Sequence, residues 1–127
     1  MSVKVKVKTD KIGEYMHLPA IALRGLVIFP NSIVHFDVGR EKSVNAVNEA
    51  MANDRMIYLV PQVDMDVEDP GKADVYDVGV VAEIKQVLKL QDGLVKVMVD
   101  AKYRAKTVDI EQDAKFISAL TKHYPVN

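Results

Sequence analysis

Period-two alternation of apolar and polar residues, an Asp-Gly turn between the two longest alternating runs, and a single helical stretch predict a mainly β (α+β) fold. The expected form is an antiparallel assembly of about six strands with one packed helix. Strands and helices do not alternate along the chain, as a parallel α/β sheet requires. The 127 residues, 49% hydrophobic and 28% charged, suit one domain able to bury a core. We place that domain at 16–127, behind a basic segment at 1–15.

Within that segment, Val and Lys alternate from Val3 to Lys8. The pattern fits an edge strand whose lysines discourage aggregation, and equally a leader ahead of the domain. His17 to Leu23 reads as the first strand, with Pro19 placing it near an edge or at its own beginning. Arg24-Gly25 breaks it before the apolar run Leu26-Val27-Ile28-Phe29. Pro30-Asn31-Ser32 marks a turn, after which Val34, Phe36 and Val38 alternate with Ile33, His35 and Asp37 in a half-buried strand.

From Arg40 the period becomes helical, with Val44, Val47 and Met51 on one face and Ala46 and Ala50 beside them, and Asn53 is read as a left-handed cap. Met56 to Val60 is nearly continuous in apolar residues, which predicts a central strand buried on both faces. Asp64, Asp66, Glu68 and Asp69 form an acidic stretch that cannot bury itself and is expected as an exposed loop. Val80–Leu90 and Val95–Tyr103 are amphipathic strands joined by Asp92-Gly93, whose glycine accepts the positive φ of a tight turn. Val108 with Ile110, and Phe116 to Leu120, supply two more strands across a polar turn.

Seventeen Lys and Arg against eighteen Asp and Glu leave a net charge of -1, so no global field draws the chain to nucleic acid or anionic lipid. The absence of cysteine excludes disulfides and thiol chemistry, and cytoplasm is the default setting. No apolar run is long enough for a membrane span. None of the six glycines opens a phosphate-binding loop. Lys42-Ser43 reads as a helix opening rather than a catalytic dyad, and His17, His35 and His123 lack metal-ligand spacing. The acidic stretch lacks the glycine and terminal glutamate of a calcium loop. Lys102, Arg104 and Lys106 make a basic strip, but few aromatics stand near for base stacking, and a solvated sheet face is the better reading. No catalytic residue and no metal ligand is assigned.

Four blocks occur in a distinctive order. They are Leu23-Arg24 before Phe29-Pro30, the run Val38-Gly39-Arg40-Glu41-Lys42-Ser43, then Asp69-Pro70-Gly71, and Leu88-Lys89-Leu90 ahead of Asp92-Gly93. From about Leu18 to Leu120 the chain resembles the amino-terminal domain of Lon-type ATP-dependent proteases. It departs from that pattern at Ala22, where a second proline is usual, and in its Val-Lys leader.

The resemblance implies a PUA-like pseudobarrel that captures unfolded or degron-bearing proteins. In the family this domain precedes an ATPase and a Ser-Lys peptidase and assembles into a hexameric ring. The chain is therefore expected to be no enzyme by itself, with ATP and Mg belonging to the ATPase domain and no cofactor held here. Expected partners are unfolded or misfolded proteins, the remainder of the Lon chain and neighbouring subunits, with no membrane and no nucleic acid. Ile28, Phe29, Pro30, Glu41, Lys42, Ser43 and Phe116 are the candidate substrate-binding residues, while core packing and helix capping would explain several of them equally well. The alternative is a stand-alone PUA-like module for a small ligand or RNA.

Overall fold

The computed structural model describes residues 15–124, so the leader lies outside the described residues apart from Tyr15. Six strands form: β1 (Tyr15–Leu23), β2 (Ser32–Val38), β3 (Met56–Pro61), β4 (Val78–Lys89), β5 (Val95–Gln112) and β6 (Ile117–His123). One helix, α1 (Glu41–Ala52), joins β2 to β3.

The long β5 organises the sheet. Along one edge it pairs with β4; along the other it pairs with β2 over Val95–Ala101 and with β6 over Ala105–Gln112. β6 continues through β1 and β3 back to β4, so β5-β4-β3-β1-β6 close into a ring and β2 is appended to it. Closure leaves few exposed backbone groups, which is how such folds avoid edge pairing.

Apolar alternation then meets an irregularity that decides the architecture. Opposite the adjacent residues Val81 and Ala82 stand Tyr103 and Ala101, leaving Lys102 as an extra residue in β5. An extra residue reverses which face the following side chains address. Before it, Val95, Val97, Val99 and Ala101 pack with Ala46, Val47 and Ala50 of α1 and with Ile21 and Leu23 of β1. Beyond it, Tyr103 and Ala105 join Tyr58, Val60 and Ala119 in a second cluster within the ring. β1 and β3 lie between the two clusters and bury both faces, as expected for Met56–Val60.

Several expectations need correction. The sheet is mixed, since β1 and β3 run parallel from Ala20 opposite Tyr58 to Leu23 opposite Pro61. The intervening β2 and α1 supply the long crossover that a parallel pair requires. β1 is interior rather than an edge, but Pro19 pairs only with Ser118, and the ladder to β3 begins one residue later. The two strands expected at 95–103 and 108–110 are one. Asn53 is not left-handed (φ -116); the positive φ falls at Arg55 (φ 68), whose N–H donates to the Ala50 carbonyl at 2.8 Å.

Tyr58 locks the ring. Its hydroxyl lies 2.9 Å from the Ala105 carbonyl and 2.7 Å from Thr107 Oγ1, while Thr107 donates to the Tyr76 carbonyl. Burial pushes the phenol up to about 12, the Thr107 hydrogen bond pulling the other way. Gly79 permits this packing, because a Cβ there would stand 2.5 Å from the Leu59 carbonyl oxygen and 2.9 Å from the Tyr58 ring.

Two outcomes follow for unfolding titrations. Gly79→Ala should cost about 2–3 kcal/mol in urea, whereas Gly71→Ala, whose Cβ would meet only Asp74 Oδ2 at an ordinary 3.9 Å, should change stability by less than about 0.5 kcal/mol. Tyr58→Phe should cost about 1–2 kcal/mol near neutral pH. Because the folded pKa is raised from 10.0 to about 12, the parent's extra stability is complete below pH 10 and is lost as pH rises toward 12, so the gap between parent and variant should close over that window.

Candidate functional site

Two surface regions flank β2. The first is the segment between β1 and β2, which adopts no regular structure because Gly25 (φ 68) and Asn31 (φ 63) both take the left-handed conformation. The turn is held by the Ser32 hydroxyl donating to the Phe29 carbonyl and by the Asn31 N–H donating to the Ala101 carbonyl at 2.8 Å. Ile28 points into the core at 6% exposure, while Val27, Phe29 and Ile33 remain 59%, 60% and 65% exposed. Pro30 is half-buried between them.

The second region is the start of α1. Arg40 precedes the helix, and no side chain caps it. Its half-buried guanidinium instead donates to the Ala22 carbonyl, tying the helix start to β1. Burial lowers the Arg40 pKa and neighbouring Arg24 adds to this, with Glu68 and Asp69 acting in the opposite direction. Lys42 reaches Gln112 Oε1 at 3.1 Å and Asp69 at 3.3 Å, and Gln112 donates in turn to the Pro70 carbonyl. Ser43 is 6% exposed and Phe116 is half-buried against the α1 cluster.

The acidic loop is exposed at Asp64, Asp66, Glu68 and Asp69 but is tightly pinned at its ends. The Gln62 amide donates to the Asp64 and Val67 carbonyls at 2.9 and 3.0 Å, and Arg24 donates to Val67 at 3.1 Å. Glu68 and Asp69 thereby face Arg40, Glu41, Lys42 and Ser43 across a cleft of about 220 Å³ floored by Ile117.

The sequence candidates therefore divide. Glu41, Lys42 and Ser43 converge in one cleft with Phe116 next to its floor residue, whereas Phe29 and Pro30 sit at the opposite end of β2, roughly 20 Å away for seven extended residues. Missed from sequence were Arg40, Glu68 and Asp69 in the cleft, and Val27 and Ile33 beside Phe29. The breakdown of alternation at Val27–Phe29 was the available signal for exposure there.

One constellation elsewhere resembles hydrolytic chemistry. His17 Nε2 lies 2.8 Å from Glu111 Oε1 and 3.2 Å from Ser118 Oγ, a Ser-His-Glu set. Both partners address the same ring nitrogen, so the imidazole cannot take a proton from serine on one side while held by carboxylate on the other. The set closes β1, β5 and β6 together. Lys102 of the basic strip is engaged by Asp100 at 2.9 Å, the contact that raises its pKa, and by Glu83 at 3.5 Å. Among the described residues no group of three His, Asp or Glu is placed to hold a metal ion, and no helix is long and apolar enough to cross a membrane.

Residues 17–126 match the family described as the ATP-dependent protease La (LON) substrate-binding domain. The chain belongs to this family. A Lon protease of Heliobacterium modesticaldum is 49% identical over 92 residues, covering 72% of this chain and 11% of that protein. One from Desulforamulus reducens is 41% identical over 112 residues, covering 88% and 14%. The chain thus spans a small part of these Lon relatives. In fold it is similar to the N-terminal domain of Mycobacterium avium complex Lon protease, with TM-score 0.69 and 18% identity over 87% of this chain and 56% of that one. A Lon N-terminal domain protein from Xanthomonas campestris gives TM-score 0.67 at 13% identity, covering 87% and 60%.

For this Lon domain the two cations of the cleft should behave differently. Arg40→Ala should cost about 1.5–3 kcal/mol in chemical denaturation, since it removes a charged, half-buried donor from the Ala22 carbonyl. Lys42→Ala, breaking solvated contacts, should cost less than about 1 kcal/mol.

Proposed function

We propose that this domain captures unfolded or degron-bearing proteins for an ATP-dependent Lon protease, in a cytoplasmic setting. The carrying observation is the display of Val27, Phe29 and Ile33 on and beside the Pro30 turn, which is tied by the Ser32–Phe29 and Asn31–Ala101 hydrogen bonds. Folded proteins bury such side chains, and an exposed apolar group on a fixed scaffold binds others of its kind wherever they are accessible. The contact is non-directional, which suits substrates that share exposure rather than sequence. The cleft at Glu41, Lys42 and Ser43 carries both signs of charge and adds a polar contact for the flanking chain.

Strength can be bounded. Burying about 200 Å² of apolar surface yields on the order of 5 kcal/mol before association costs are subtracted, so a single domain binds weakly. Neighbouring copies in a hexameric ring would raise the apparent affinity through avidity. In this reading nucleotide, magnesium and peptide-bond hydrolysis belong to the remainder of a Lon chain, and this domain holds no cofactor.

An NMR titration of the labelled chain with a reduced, denatured protein and its folded form tests the reading. Shifts are expected around Val27–Ile33 and Glu41–Ser43 with the denatured form alone. Phe29→Ser combined with Val27→Ser should weaken that binding at least about fivefold while leaving the midpoint of unfolding nearly unchanged, because both side chains are solvated. Shifts confined to Lys102–Lys106 on adding RNA, with none from denatured protein, would overturn it in favour of a nucleic-acid module.

A further inference from the structure

Ser43, the third residue of α1, is only 6% exposed, yet its hydroxyl has no hydrogen-bond partner among the described residues. Buried hydroxyls ordinarily find one. This hydroxyl is not sealed in the core but opens on the cleft that Ser43 lines with Glu68 and Asp69. The backbone beside it is unsatisfied too. Val44 makes the first helical bond, to the Arg40 carbonyl at 2.9 Å, and no side chain caps the N–H groups ahead of it.

Across the cleft the end of the acidic loop brings acceptors, the exposed carboxylates of Glu68 and Asp69. Both walls are tied in place. Lys42 bridges Asp69 and Gln112, Gln112 donates to the Pro70 carbonyl, and the Asn45 amide donates to the Lys115 carbonyl at 2.8 Å. Donors and acceptors thus face each other over an apolar floor, Ile117, and need little ordering when a ligand arrives.

Charge narrows the ligand. A helix start alone favours an anion, but three carboxylates (Glu41, Glu68, Asp69) line this cleft against two cations, Arg40 and Lys42. Both cations are already engaged, with the Ala22 carbonyl and with Asp69. A free anion would meet carboxylates it cannot pair with, and a free cation would meet Arg40 and Lys42 on the same walls. A neutral group that both donates and accepts incurs neither cost. The secondary amide of a peptide main chain is such a group, and folded proteins pair theirs internally, so unfolded segments are where it is on offer.

We propose that the cleft binds the main chain of an extended substrate segment, an inference that rests on the capture reading above. A carbonyl of the segment accepts from the Ser43 hydroxyl and the uncapped N–H groups of α1, and a neighbouring main-chain N–H donates to Glu68 or Asp69. The contact is indifferent to side chains. Phe29 lies roughly 20 Å away, so about six extended residues join amide recognition here to apolar recognition at the Pro30 turn.

The probe is a blocked Gly-Ser decapeptide, uncharged and without apolar side chains, titrated by NMR into the labelled 127-residue chain. Saturable shifts are expected at Glu41–Ser43 and Ile117, with none at Val27–Ile33. Ser43→Ala should weaken this binding about fivefold while unfolding at nearly the parent's midpoint, and methylating the probe's main-chain nitrogens should weaken it at least as much. Equal shifts from sodium acetate or inorganic phosphate would make this an anion site and overturn the proposal. So would a probe that binds Ser43→Ala and parent alike, or one that leaves Glu41–Ser43 unmoved. Failure of the capture reading looks different: denatured protein then binds no better than its folded form, whatever the Gly-Ser probe does at the cleft. A cleft silent to the probe in a chain that still prefers denatured protein defeats the amide contact alone.

Discussion

The extra residue at Lys102 is the constraint on which the rest of the structure depends. A strand of regular alternation serves one apolar face, and β5 must serve two, one beneath α1 and one inside the ring. Reversing its faces midway lets a single 18-residue strand pair with β4, β2 and β6 and line both clusters. The economy is considerable for a fold with one α-helix among the described residues. It also fixes where loops can go: the Pro30 turn falls at this reversal, and the helix start falls at the far end of β2.

Much of this was legible in the sequence, and the failures share a cause. Alternation located β2, β4 and the first part of β5, and Asp92 and Gly93 both take positive φ as the turn between them demands. Alternation is local, however, and carries no information about partners. The parallel pairing of β1 with β3 depends on a crossover through α1, which no periodicity records. Thr107, between the strands expected at 95–103 and 108–110, is buried at 4% exposure and satisfied by Tyr58 and Tyr76. A polar residue inside a core looks like a loop residue until its partners, 49 and 31 positions away, are known.

The candidate site shows the same division. The period change at Arg40 announced the helix start, and four closely spaced acids announced a solvated loop. Their meeting across one cleft rests on Arg40 reaching Ala22 and on Gln112 reaching Pro70, contacts between segments far apart in sequence. Ile28 and Phe29 were indistinguishable as an apolar pair; the left-handed residues on either side, Gly25 and Asn31, set the path that buries one and exposes the other.

Exposed apolar side chains ordinarily invite self-association, so their arrangement matters for the proposed capture of unfolded protein. Val27 and Phe29 are separated by the inward Ile28, and Ile33 lies beyond Pro30 and Asn31, so backbone and polar atoms interrupt the patch. Val27 and Phe29 lie outside any ladder, which denies them the continuous backbone pairing that makes an apolar strand adhesive. What remains is apolar area without directional hydrogen bonding, and three side chains are few beside the roughly 800 Å² per partner that a stable pair buries. A flexible chain with apolar residues close together can instead cover several of these side chains at once. Under the proposed function, selection for unfolded protein would rest on this geometry, because small separated contacts favour a deformable partner that can satisfy them together.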